Sequence, residues 1–292
     1  MKTLNKTLVM TMCLPLFMAF APSTSIKAPN SNTEFTAPVD LRLEACTMEN
    51  NTFKGGEEIT YKLYYNWNFV WLSAGEVTFR VRDLGDQYHI SAVGRTYKSY
   101  EWFYKVRDYY DTYVDKETLL PSISIRNIHE GGYRLYDKVT FDRDRNVAVG
   151  LRGKTRAEAK VTEYKIDNCI HDMLSIVYYS RNIDFDKLNS GAEFPIKIFL
   201  DKETYPLKVK YFGTEDRKKV KGQGRFQTHV FSPQLIAGDV FKEDDQMKVW
   251  VSADQNKVPM LIESPVSVGS VKAVLKSYKG LKYEFDADAL DE

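Results

Sequence analysis

The chain has 292 residues, 43% hydrophobic and 28% charged, with 41 basic against 40 acidic side chains. That composition excludes a disordered chain and supplies enough apolar side chains for a sizeable core. The near-neutral balance lacks the basic surplus that phosphate binding needs, so nucleic acid is not an expected partner.

In chain order, the first feature is a targeting signal. Lys2 and Lys6 precede an apolar run from Leu8 to Ala21. The run is too short to cross a bilayer comfortably and matches the core of a signal peptide, which we place over residues 1–28. Ala19-Phe20-Ala21 has the small-x-small pattern of a cleavage site, but Pro22 disfavours a cut directly after it, which leaves the site open. A retained anchor helix is the alternative. Cys13 lies inside the apolar run after Met12, so it is not read as a lipid-attachment cysteine. Losing residues 1–28 removes three lysines and no acids, leaving 38 basic against 40 acidic side chains, a charge of −2. The expected product is exported, to the periplasm or beyond, and soluble once the signal is gone.

Residues 29–52 show little periodicity and read as a linker or loosely attached arm. A single β-rich domain is expected over 53–285, followed by an acidic tail over 286–292. EITYKLYYNW alternates, with Ile59, Tyr61, Leu63, Tyr65 and Trp67 on one face. EVTFRVRD repeats the pattern with Val77, Phe79 and Val81 inward, and the NFVWLSAG between the two reads as an apolar connection. Period two with one wet face predicts antiparallel strands over a core. QYHISAVGRTY, DYYDTYVD, SISIRNIHE and YRLYDKVTFD continue the strands, and PIKIFLD, PLKVKYFG, QMKVWVS, VPMLIES and SVKAVLKSY follow. One segment breaks the period. IHDMLSIVYYSRN places Ile170, Leu174, Val177 and Arg181 at helical spacing, with Asn168 or Asp172 available as cap. It predicts a helix near 170–183.

Three segments share a plan: Asp115 to Pro121, Asp201 to Pro206 and Asp254 to Pro259. In each, an aspartate fixes a turn by accepting from the backbone ahead of it, and a proline opens the next strand. They predict a meander of hairpins. The fold expected is mainly β: a large curved antiparallel sheet or barrel of about a dozen strands, with one or two helices.

The residues offer little catalytic chemistry. His89, His129, His171 and His229 are not at metal-ligand spacing, and no C-x-x-C, H-E-x-x-H or G-x-S-x-G occurs. His171-Asp172 reads as a packing histidine beside a helix cap. Arg217 to Arg225, RKKVKGQGR, is the basic cluster and reads as a solvated strand edge, with anionic lipid headgroups as the sharper alternative. Glu243-Asp244-Asp245 reads as a solvated acidic loop. No metal, cofactor or enzymatic activity is expected. Cys46 and Cys169 remain after export and could pair, closing a long loop, or stay as buried thiols.

The inward set Tyr61, Leu63, Tyr65, Trp67, Phe79, Val249, Val251 and Ile262 admits two readings. It is either solid core or the lining of an apolar cavity on the concave side of the sheet. In the second reading the protein binds or shuttles a lipid, acyl group or other hydrophobic small molecule. In the first it is a structural domain that meets another envelope protein.

FKGGEEITYKLYYNW, SAGEVTFRV, WFYKVRDYYDTYVDKETLLP, DMLSIVYYSR and VWVSADQNKVPMLIESPVSVGSVKAVL together resemble the exported bacterial family known as domain of unknown function 3108. The resemblance runs from about Phe53 to Tyr278 and implies a secreted β-rich domain with no established activity. A fainter likeness is to the Lol-type periplasmic lipoprotein carriers and related half-barrel lipid binders, carried by V-W-V, an Asp turn and a Pro in the last strands. It implies a large curved sheet able to hold lipid.

Overall fold

The computed structural model describes residues 46, 48–67, 70–236, 246–266 and 269–285. The expected signal peptide, most of the arm, the acidic triplet at 243–245 and the acidic tail lie outside them. Alternating residues build β1 (Glu58–Trp67), β2 (Val70–Asp83), β3 (Gln87–Thr96), β4 (Arg107–Asp115), β5 (Pro121–Glu130), β6 (Tyr133–Asp142), β7 (Val147–Gly153) and β8 (Lys160–Lys165). After the break come β9 (Glu193–Leu200), β10 (Glu203–Val220), β11 (Gly224–Pro233), β12 (Lys248–Ser252), β13 (Pro259–Pro265) and β14 (Ser270–Lys279).

These form one 14-stranded antiparallel sheet, curved and unclosed. Every strand pairs with its sequence neighbour except at one place: β1 pairs with β14, and β8 and β9 are the free edges. The first and last strands therefore meet in the middle of the sheet, and residues 166–192 cross the gap between its edges. The upper rim is formed by the C-terminal ends of β1, β3, β5, β7, β9, β11 and β13 and the starts of the strands that follow them. The lower rim carries the remaining turns, the β8–β9 crossing and the start of β1.

The gap is narrowed by side chains. Ile166 and Ile170 from the crossing pack with Val139, Phe141 and Ala148 on one side and Phe199 on the other. The crossing also adds a short parallel bridge to β9, His171 opposite Ile198. Edge strand β8 is exposed and charged through Lys160, Glu163 and Lys165, which discourages pairing with another chain.

Three sequence expectations change. VWLSAG belongs to β2 rather than to a loop, so the connection after β1 shrinks to residues 68–69. The second Asp-to-Pro unit is not built like the others. Asp201 and Lys202 make a tight turn with φ of 47° and 78°, the twist a two-residue hairpin prefers. Pro206 then lies inside β10, at a point where β9 is paired and β11 is not yet, since the β11 register begins at Val209. Its missing N–H therefore breaks no ladder. Third, RKKVKGQGR is a strand edge as expected, but one that bends away from the sheet's own order, since the β9 pairing stops at Lys210 and the β12 pairing starts at Thr228. It forms the end of the β10–β11 hairpin, bent by irregularities at Tyr211/Gly213 and Glu215/Lys218. Gly213 takes φ of 93°, which a side chain would disfavour. The bent hairpin lies over the outer face of the sheet. Lys218 sits 3.6 Å from the Trp250 ring centre, Trp250 Nε1 donates to Glu215 Oε2 at 2.6 Å, and Val220 and Phe226 are buried.

The predicted helix is present but short. Helix α1 spans Ser175–Ser180, inside the 170–183 window. Asp172 Oδ1 accepts from the backbone N–H of Leu174 and Ser175 at 2.7 and 3.3 Å, so the capping role falls to Asp172 rather than Asn168.

Candidate functional site

The short helix holds its place through its polar ends. At the start, Asp172 Oδ2 accepts a hydrogen bond from Thr112 Oγ1 at 2.6 Å, tying the helix to the inner face of β4. Burial pushes the Asp172 carboxyl up, and the Thr112, Leu174 and Ser175 donors oppose that. His171 is buried beside Ser175, and burial drives its pKa down to about 3, so it is a neutral packing residue. At the other end, Arg181 donates to both oxygens of Glu57 at 2.6 and 2.9 Å. It also donates to the carbonyls of Asn256 and Thr52. Asn256 in turn bonds Asp254, the carbonyls of Tyr283 and Glu284, and the Tyr283 N–H. One buried ion pair thus ties together the arm before β1, the helix, the β12–β13 turn and the C-terminal segment. Asp254 and Asn256 are occupied in this junction, and among the described residues no cluster is placed to hold a metal.

The arm is fastened as well. Cys46 and Cys169 form a disulfide across 123 residues, with Cα atoms 5.0 Å apart. Thr52 and Phe53 are buried, and Phe53 meets the rings of Tyr88 and Tyr178.

Between the anchored helix and the concave sheet lies a cavity of about 260 Å³. Met173, Ile176 and Val177 form the helix wall. Ile59, Tyr61, Val77 and Phe79 come from β1 and β2, and Val249, Ile262 and Ala273 from β12 to β14. Toward the upper rim the lining continues through Leu200, Leu235, Ile236 and Met247. Its few polar members include Arg181, Tyr178 and Gln234. Arg181 is already saturated by Glu57 and carbonyls, and Gln234 Oε1 accepts from the Lys208 N–H. No free charge therefore points into the space from those groups.

The eight residues of the predicted inward stripe divide. Tyr61, Phe79, Val249 and Ile262 line the cavity. Leu63 and Tyr65 are buried in the main core, and Val251 belongs to a second core cluster around Phe185 and Phe231. Trp67 ends β1, and its side chain lies outside the described residues. Sequence reasoning missed the helix wall and the Ile196, Ile198 and Leu200 row of β9. The signal for β9 was present, because those three residues alternate.

The rest of the interior differs in kind. Arg126 and Arg152, from β5 and β7, both bind Asp137 of β6 and Asp201 of the β9–β10 turn. The Arg126–Asp201 and Arg152–Asp201 pairs, at 2.7 and 2.5 Å, span the gap in the sheet. Burial alone would raise the Asp201 carboxyl, but the two guanidinium charges outweigh it and hold the pKa below the ordinary value. Nearby, Asp108 and Glu130 are buried acids. Burial pushes both pKa values up, and the like charge of Asp108 adds to the effect on Glu130. Asp108 Oδ1 accepts from the His129 N–H at 2.7 Å. Neither acid lines the large cavity.

Comparison with known proteins agrees with this architecture. A family model described as a protein of unknown function, DUF3108, matches residues 60–276. A β-barrel-like protein of domain of unknown function DUF1849 from Brucella abortus superposes with a TM-score of 0.54 at 8% identity, over 78% of this chain and 98% of that one. A "putative lipoprotein" from Parabacteroides distasonis aligns over 80% of this chain and 99% of its own, at 14% identity, with a TM-score of 0.30, too low to support a statement about fold. None of the curated proteins matches the chain. No helix among the described residues is long and apolar enough to cross a membrane, which leaves open what strands can do.

Proposed function

The chain belongs to the DUF3108 family of proteins of unknown function, and from its interior we propose that it binds or shuttles a hydrophobic ligand without catalysis. The observation that carries this reading is the 260 Å³ carbon-lined space beneath the helix. Dry apolar cavities of roughly 150 Å³ already admit a benzene-sized guest, so this one has room for part of an acyl chain. Each methylene taken out of water contributes about 0.8 kcal/mol. The saturated state of Arg181 favours an uncharged hydrocarbon end inside, with any charged head outside. The inward residues Tyr61, Phe79, Val249 and Ile262 are the proposed contacts, together with the helix wall. Leu63, Tyr65, Val251 and Trp67 complete the stripe and are proposed to shape the site from behind or from its end.

We place this activity outside the cytoplasm. The apolar run Leu8 to Ala21 supports export, and the Cys46–Cys169 bridge suits an oxidising compartment.

Native mass spectrometry of protein purified from an expressing cell's envelope tests the proposal. A co-purifying mass of lipid or fatty-acid size is expected. Ala273→Phe, which directs a ring into the cavity from the middle of the sheet, should abolish both that mass and uptake of a fluorescent fatty acid. Bare parent protein that also fails to take up the probe would return the stripe to the solid-core reading.

A further inference from the structure

The two rims of the sheet differ in surface chemistry. On the upper rim, β2 opens with Val70, Trp71 and Leu72 exposed at 57%, 38% and 38%. The β3–β4 connection runs beside it, since the Tyr97 N–H donates to the Ala74 carbonyl at 3.0 Å. That connection presents Trp102, the most exposed large apolar residue among those described, at 83%. Lysines accompany both tips. Lys272 of β14 places its ammonium 4.5 Å from the Trp71 ring centre while pairing with Glu263 at 2.8 Å. Lys98 and Lys105 flank Trp102, are exposed, and make no ion pair among the described residues.

We propose that this upper rim docks on the surface of an anionic lipid bilayer, with Trp71 and Trp102 at headgroup depth. Isolated exposed apolar residues need no explanation, but two tryptophans with Val70 and Leu72 on adjacent tips form a patch. Indole rings flanked by lysines are the side chains that favour a membrane–water interface: the ring enters the acyl boundary and the ammonium stays with the headgroups. Lysine charge gives complementarity to an anionic leaflet. A soluble protein partner would bury the tryptophans equally well but would not account for lysines beside both tips. The cavity reaches the same rim through Leu235, Ile236 and Met247. That continuity rests on the ligand-binding reading, whereas the composition of the rim does not.

The test is flotation of the full chain with vesicles of phosphatidylethanolamine and phosphatidylglycerol, compared with phosphatidylcholine alone. Every variant keeps the same N-terminus, so differences between variants report on the rim. Trp71→Ser/Trp102→Ser should weaken partitioning about tenfold or more. Leu84→Ser, at an apolar residue 54% exposed on the lower rim, should leave it unchanged. Vesicles with brominated acyl chains should quench the tryptophan emission of the parent more strongly than that of the double variant, which keeps Trp67 and the buried Trp250. Partitioning of the double variant at the parent level overturns the proposal. So does parent protein that self-associates through this rim, becoming monomeric in the double variant with vesicle binding unaltered. Tighter binding to phosphatidylglycerol vesicles is expected, and equal binding to phosphatidylcholine overturns the role given to the lysines. Ala273→Phe separates the two ideas, because it should exclude the ligand from the cavity and leave vesicle binding intact.

Discussion

The two halves of the interior have the same backbone and opposite contents. Under β1, β2 and β9 to β14, the helix and sheet flank about 260 Å³ of carbon-lined space. Under β4 to β7, the space between Arg126, Asp137, Asp201 and the start of the helix is only about 10 Å³. One half keeps room by standing a six-residue helix off the sheet on two polar anchors, Thr112–Asp172 and Glu57–Arg181. The other fills its volume with ion pairs that bridge the gap between β8 and β9. A curved sheet that does not close thus needs two devices. Charges tie its edges where it is full, and an anchored helix lids it where it is hollow.

The largest effect should come from breaking an anchor. Arg181→Met leaves the Glu57 carboxylate buried without its partner, and such losses cost about 3–5 kcal/mol. Glu57→Met/Arg181→Met removes both charges and should recover much of that stability in urea denaturation. If the single and double variants melt alike, the pair is not what holds the helix over the cavity.

A smaller effect separates hollow from full. Ala273 and Ala148 are both buried alanines on inward-facing sheet positions, the first at the cavity and the second against Ile166, Ile170 and Phe199. Ala148→Phe has nowhere to go and should cost about 1–3 kcal/mol, as overpacking does. Ala273→Phe enters open space and should cost less than about 1 kcal/mol. Equal costs would mean that the cavity collapses in solution, and the comparison between the halves would fail.

Much of the hollow half could be read from the sequence, and little of the full half. Tyr61, Phe79, Val249 and Ile262 announce themselves because period-two alternation fixes the face on which a residue lies. The antiparallel succession of most strands follows from the same alternation and the helix window from the 3.6-residue period, but β7, β8 and β11 are not among the strands so found. The seam follows from neither. Nothing local links Arg126 or Arg152 to Asp201, which lies 75 and 49 residues away. The Asp201 turn looked like its two relatives until Pro206 fell inside a strand. Glu57 and Arg181 were likewise opaque, since a pair 124 residues apart forms only once the sheet has brought the arm to the helix. The fate of RKKVKGQGR depended on two irregularities in β10, which composition does not reveal. Periodicity encodes faces; partners across a fold are set by topology.

The smallest effect concerns the full half alone. Asp108 and Glu130 keep their protons above the ordinary carboxylate range because burial penalises their charge. In the unfolded chain both ionise near their ordinary values, about pH 4. Between there and the raised values the folded protein holds more protons than the unfolded one, so their contribution to stability falls as pH rises. Asp201 acts with the opposite sign: its lowered pKa gives stability above the ordinary value that is lost as pH falls. Glu130→Gln deletes one of the raised groups and keeps a polar partner for Asp108. Relative to the parent, the variant should gain stability at about pH 8 compared with about pH 5, by on the order of 1 kcal/mol. Urea midpoints at the two pH values measure that difference. An unchanged slope would mean that Glu130 is ionised in the folded state, and that the full half stores its charge as ion pairs only.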